Sequence, residues 1–153
     1  MWKKYKSFTI CIDTDDEFNT TELNHYQVKI IVYNTAGTST SNTVYLNNAC
    51  RSDFGDIRFK NELLEDLPYW IETITSTYAI FWVKIDIIRD IKEIDRTCYI
   101  YYDNPYAETT SNGDTTFEFF DDFSSPTIST VKWITSNDED LNTGTFVTLI
   151  DDA

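Results

Sequence analysis

The chain has 153 residues, enough for one domain with a real hydrophobic core and a short extension. Its 26 acidic residues against 12 basic ones give a net charge of −14, which excludes nucleic acid and anionic lipid as partners, because a phosphate surface needs a Lys/Arg stripe to displace its counterions. No apolar run reaches the roughly 18 residues of a membrane-spanning helix, so no membrane insertion is expected, and three cysteines outside CxxC spacing give no support to zinc or thioredoxin-like chemistry.

Aromatic residues make up 16% of the chain and accompany abundant Thr and Ile, a mixture that favours strand over helix because β-branched and flat side chains suit a pleated surface. The opening MWKKYK is basic but leads into no apolar h-region, so it does not read as a signal peptide. A removed leader, a segment of a longer protein, or assembly without Sec export would each account for it. A first strand is expected at 5–12, with Phe8, Ile10 and Ile12 on one face. An acidic loop, Asp13 to Glu17, separates it from a strand at 25–33, where Tyr26, Val28, Ile30 and Val32 alternate with polar neighbours. Polar residues 34–42 read as a loop, followed by a short strand at 43–46, a loop at 47–55 and a strand at 56–60. Residues 61–66 are a turn with room for one helical turn. Strands follow at 69–73 and 78–87, the second apolar on both faces as a central strand is. Mixed charge over 88–96 reads as a short helix or a wide loop, and the strand at 97–102 closes in a turn of Asp103, Asn104 and Pro105. After Tyr106 a polar stretch to Asp114 leads to a short aromatic strand at 117–120, a turn at 121–126, a strand at 131–134, an acidic loop at 137–140 and a last strand at 145–150.

Short strands at this spacing predict an all-β fold, a two-sheet antiparallel β-sandwich of jelly-roll type. Phe8, Ile10, Val28, Ile30, Ile57, Phe59, Trp70, Phe81, Val83 and Ile100 are its expected core. Residues 1–123 form the sandwich domain, and 124–153 are a C-terminal extension, either a final strand of the same domain or an inter-subunit arm. Cys11, Cys50 and Cys98 leave two states open: one disulfide with a spare thiol, or three buried free thiols.

Trp2, the run from Phe8 to Ile10, DIRF at 56–59, LPYWIE at 67–72, FWVK at 81–84 and YYDNP at 101–105 form an ordered set, continued by SNGD at 111–114 and FFDDF at 119–123. This set resembles the uncharacterised β-sandwich domain family of archaeal and bacterial surface proteins, often found upstream of concanavalin A-like lectin domains. The resemblance covers roughly residues 2–123 and rests on order rather than on one distinctive motif. It departs at Asp103, where the family usually has Gly after the tyrosines, a change of turn chemistry. What it implies is an extracellular or cell-surface module of carbohydrate-binding type, without established catalytic residues.

An enzyme is not expected. His25 is the only histidine, stands at a strand start and has no Ser or Cys partner motif, so it reads as a surface or edge residue. Among 26 acids, close carboxylate pairs of the glycosidase kind are inevitable and single out nothing. No cofactor is expected beyond a structural calcium. Asp13, Asp15, Asp16 and Glu17 carry the oxygens a hard cation takes, but they lack the EF-hand Gly and terminal Glu, so a solvated acidic loop is the preferred reading. For ligand binding the candidates are Tyr99, Tyr101 and Trp70, because flat rings stack on sugars. Tyr99 and Tyr101 share one strand face, opposite Cys98, Ile100 and Tyr102, whereas Trp70 and Trp82 read first as core.

The expected function is therefore a non-catalytic surface binding or adhesion module with a glycan partner. The alternative is a structural subunit of a filament, pilus or virion fibre, its partners being neighbouring subunits in a homo-oligomer. That alternative rests on the last strand, which has Val147 and Leu149 on one face and Phe146 and Ile150 on the other. A strand apolar on both faces suits donation to a neighbour's open edge.

Overall fold

Alternation of apolar and polar residues yields a strand wherever one face can be buried, and the chain is built almost wholly on that rule. The structure, a computed structural model, describes residues 1–10, 22–40, 42–89, 96–127, 129, 131–137 and 145–149. Among them the strands are β1 (Lys4–Ile10), β2 (Glu22–Tyr33), β3 (Thr43–Tyr45), β4 (Arg58–Lys60), β5 (Asp66–Leu67), β6 (Tyr69–Ile74), β7 (Tyr78–Arg89), β8 (Arg96–Tyr102), β9 (Trp133–Asn137) and β10 (Thr145–Leu149). One helical turn, α1 (Gly113–Thr116), precedes β9. The chain divides into two compact units, Met1–Glu118 and Phe119–Ala153.

The first unit is an all-β, two-sheet sandwich. One sheet has the order β1-β8-β4-β5 and the other β3-β2-β7-β6. β1 pairs with β8 and, nested inside that, β2 pairs with β7, the rolled-up pairing of a jelly roll. One pair departs from the antiparallel pattern: β3 runs parallel to β2, with Ile31 opposite Thr43 and Tyr33 opposite Tyr45. Parallel neighbours normally need a crossover of about a dozen residues or more. The shorter loop 34–42 suffices because the chain has only three residue pairs to retrace. That loop lies so close to the Tyr45 ring that a Cβ on Gly37 would come within 2.3 Å of ring carbon Cδ1.

The core fills the space between the sheets. Ile30, Val32, Phe81, Val83 and Tyr69 face Phe59, Leu67, Cys98, Ile100 and Tyr102. Phe59 is central, its ring 5.3 Å from Phe81, 5.6 Å from Tyr69 and 6.4 Å from Phe8. Each such buried side chain contributes about 1.5–3 kcal/mol over leaving it in water. Of the expected core, Ile30, Ile57, Phe59, Phe81, Val83 and Ile100 are fully buried, while Phe8, Ile10 and Val28 pack against the cluster partly buried. β7 is the central strand expected, flanked by β2 and β6.

Trp70 is a correction: it is half-buried on the outer face, and its neighbour Tyr69 takes the core position. Tyr69 can go inside because its hydroxyl finds partners there, donating to the Ile57 carbonyl at 3.1 Å and accepting from Arg58 at 3.2 Å. The strand expected at 117–120 is a second correction. Asn112 caps α1 by accepting the Thr115 N–H, Phe117 N–H closes the turn on the Gly113 carbonyl, and residues 117–119 form a bend. Third, the 61–66 turn is not helical. It joins β4 to the unforeseen β5, with the Asn61 side-chain oxygen accepting N–H bonds from Leu63 and Glu65. Cys50 and Cys98 are not in a disulfide, and Cys11 lies outside the described residues, as do 90–95 of the expected helix-or-loop stretch.

The second unit is organised around Trp133. Its indole donates to the Asp121 carboxylate at 2.6 Å, and the rings of Phe119 and Phe123 lie 5.1 Å and 5.5 Å away. The Asp121 carboxylate is held below its ordinary range, chiefly by that indole bond. β9 and β10 pair antiparallel from Trp133↔Leu149 to Asn137↔Thr145, forming a two-stranded sheet of their own.

Candidate functional site

In the DIRF segment, Asp56 and Arg58 fasten residues 103–110 onto the sandwich. The buried Asp56 carboxylate accepts backbone N–H bonds from Arg51 at 2.9 Å, Asp103 at 2.9 Å and Asn104 at 3.1 Å. Its carbonyl accepts the Trp2 indole N–H at 2.8 Å. Arg58 donates to the carbonyls of Gly55, Ile57 and Glu108 and to the Tyr69 hydroxyl, with its guanidinium 5.3 Å from the centre of the Trp2 ring. Asp103 takes φ 67, the left-handed region that glycine favours and aspartate tolerates, and Lys4 meets its carboxylate at 3.3 Å. Arg51 is gripped by both oxygens of Asp53 and donates to the carbonyls of Pro105 and Ala107. The same grip holds the Asp53 carboxyl down to about 2. Asp56, Arg58 and Arg51 thus work chiefly on backbone partners, which makes this cluster a latch for the loop.

The latch leaves open the outer face of the β1-β8-β4 sheet. Tyr5, 61% exposed, stacks on Tyr101 with ring centres 5.5 Å apart and planes at 29°, and meets Tyr99 edge-on at 5.9 Å. Strand register brings this about: Tyr5 is opposite Tyr101, and Tyr99 stands one repeat along the same face. Lys60, opposite Tyr99 on β4, sits 6.0 Å from the centre of the Tyr101 ring and is anchored by Asp66 at 2.7 Å. The outcome is a patch of three tyrosine rings with an ammonium at its margin. Tyr99 and Tyr101 are both half-exposed members of it. The sequence signals Tyr5 only through its phase on β1, opposite to Phe8 and Ile10.

Trp70 does not belong to this patch. It lies on the other sheet, opposite Trp82 across β6 and β7, and the Phe117 ring lies 6.0 Å from Trp70 and 6.2 Å from Trp82. The Trp82 indole donates to Glu72 at 3.0 Å, and the Lys29 ammonium is 5.8 Å from the Trp82 ring centre. Asp13, Asp15, Asp16 and Glu17 lie outside the described residues. Among the described residues no group of three or more His, Cys, Asp or Glu gathers to hold a metal ion. His25 is exposed, with φ 52, at a gap in the β2–β7 ladder.

The fold and this aromatic patch define the class: an all-β sandwich module. Residues 53–136, more than half of the chain, match the family described as a domain of unknown function (DUF2341), and the chain belongs to that family. The matched range contains Asp56 and Arg58 of the latch, Tyr99 and Tyr101, runs from the first compact unit into the second, and excludes Arg51 and Tyr5. No curated protein and no solved structure matches the chain.

Proposed function

We propose that the chain is a non-catalytic binding module of the extracellular or cell-surface kind that takes a glycan on Tyr5, Tyr99 and Tyr101. The observation that carries this reading is the gathering of those rings on one solvent-facing sheet face, Tyr5 stacked on Tyr101 at 5.5 Å and edge-on to Tyr99 at 5.9 Å. A tyrosine ring offers an apolar surface to the C–H face of a sugar and a hydroxyl to its edge. An open sheet face suits contact along a polymer, where a small ligand would call for a concave pocket. The resemblance to β-sandwich domains of archaeal and bacterial surface proteins supports the location. Catalysis is not proposed, since the buried Asp56 and Arg58 side chains of the latch are engaged mainly with backbone groups.

The test is a glycan array, with and without calcium, followed by titration of the best ligand into Tyr5→Ala, Tyr99→Ala and Tyr101→Ala. Each substitution is expected to weaken binding about threefold to tenfold. Silence across the array, or a ligand indifferent to all three changes, would remove the reading.

A second reading, a structural subunit assembled through the C-terminal strand, is favoured by one observation. β9 and β10 pair only with each other among the described residues, and a lone two-stranded sheet is marginal in water. Each strand keeps an outer edge on which a neighbour's backbone would pair.

A further inference from the structure

A cleft of about 370 Å³ lies between the start of β1, the loop after β3 and the turn after β8. Asn47, Asn48 and Asn104 bring side-chain amides to it. Asn104 is only 6% exposed. Its side-chain oxygen accepts the Tyr106 N–H at 3.3 Å, while its NH₂ group has no hydrogen-bond partner among the described residues. Buried donors in folded proteins are nearly always paired, so an NH₂ that lines a cleft is available to an oxygen from outside. Asn47 and Asn48 are exposed and have φ 55 and φ 58, the left-handed backbone that asparagine tolerates.

Charge, wall and position select the occupant. Lys4 and Arg51 balance Asp56 and Asp103 around the cleft. All four are engaged: Lys4 with Asp103, Asp56 with three N–H groups, and Arg51 with Asp53 and two carbonyls. The lining therefore favours neither a cation nor an anion. What it offers is amide chemistry, which donates and accepts as a sugar hydroxyl does. The volume falls within the roughly 300–1,000 Å³ of small-molecule sites, and Pro105 adds an apolar side for C–H groups. The cleft also adjoins the tyrosine face, because Asp103 stands two residues beyond Tyr101 and Lys4 stands next to Tyr5. We propose that the cleft is an end subsite for one neutral sugar residue, held by the Asn104 NH₂ and the amides of Asn47 and Asn48. The assignment rests on the glycan reading for its ligand class, but its contacts are independent of the tyrosines.

The test titrates the full chain, nitrogen-labelled for NMR of its side-chain amides, against the methyl glycosides of glucose, galactose, mannose and N-acetylglucosamine. At least one is expected to shift the Asn104 NH₂ signals, with a Kd of about 1–10 mM. The double variant Asn47→Gly/Asn48→Gly keeps the left-handed backbone, removes two amides and should weaken that titration about threefold to tenfold. Tyr5→Ala and Tyr101→Ala should leave the Asn104 response unchanged. Silence at Asn104 with every glycoside, or a titration indifferent to the double variant, would overturn the subsite. So would N-acetylglycinamide shifting Asn104 more strongly than every glycoside, which would put a peptide in the cleft instead. This site and the tyrosine face fail separately. An array ligand that needs the tyrosines yet leaves Asn104 unshifted overturns the cleft alone. A glycoside that shifts Asn104, beside array ligands indifferent to the tyrosine variants, supports the cleft and removes the tyrosine face.

Discussion

Asp56 shows how a single carboxylate can organise a loop. It sits 1% exposed and receives three backbone N–H groups, two of them from the turn that follows β8. Asp56→Asn would place an amide NH₂ against one of those donors and leave a buried N–H without an acceptor. The expected loss is about 2–3 kcal/mol of stability, read from urea unfolding. An unchanged midpoint would show that the latch contributes nothing. Cys50 gives the pH prediction. Burial first, and the nearby Asp56 charge second, push its thiol from an ordinary 9.0 to about 12. The unfolded chain therefore releases this proton first. The stability tied to the neutral thiol is whole below pH 9.0 and drains away as pH rises toward about 12. At pH 8.5 iodoacetamide should modify Cys50 at least about a hundredfold more slowly in the folded protein than in urea, checked by peptide mapping. Equal rates would contradict the burial.

At the scale of elements, most strands were legible because their alternation is clean. β2 and β7 carry long apolar rows and lie where periodicity puts them, with ends displaced by a few residues. The aromatic segments were not legible in the same way. Tyr69 and Trp70 are adjacent and both large, so the sequence contains no phase signal, and hydroxyl partners supplied by Ile57 and Arg58 decided which went inside. Residues 117–120 have strand composition, yet Asn112 starts a helical turn just before them and Phe117 packs on the outer tryptophans instead of joining a ladder. β10 is the element whose role an experiment can assign. Its partner is β9, within the second unit, so deleting residues 142–153 is expected to leave the unfolding midpoint of the first unit within about 2 °C of the parent. A soluble chain that no longer assembles would support the structural-subunit reading. A large loss of stability would mean that the last strand belongs to the sandwich core.

For the whole molecule, a sequence with this charge, this aromatic content and these turn residues could be read as an all-β sandwich before any coordinates. Burial in a two-layer fold imposes a period of two on each strand, and that period is written in the side chains. The inward rows of β7 and β8, and with them the shared face of Tyr99 and Tyr101, follow from the same local rule. What local pattern could not contain is which strands become neighbours. The β1–β8 register that sets Tyr5 beside Tyr101, the parallel placement of β3 and the grip of Asp56 on the turn after β8 all join residues separated in the chain. Such contacts are selected by the collective packing of two sheets and by the need to satisfy buried polar groups, so they exist only once the tertiary structure has formed.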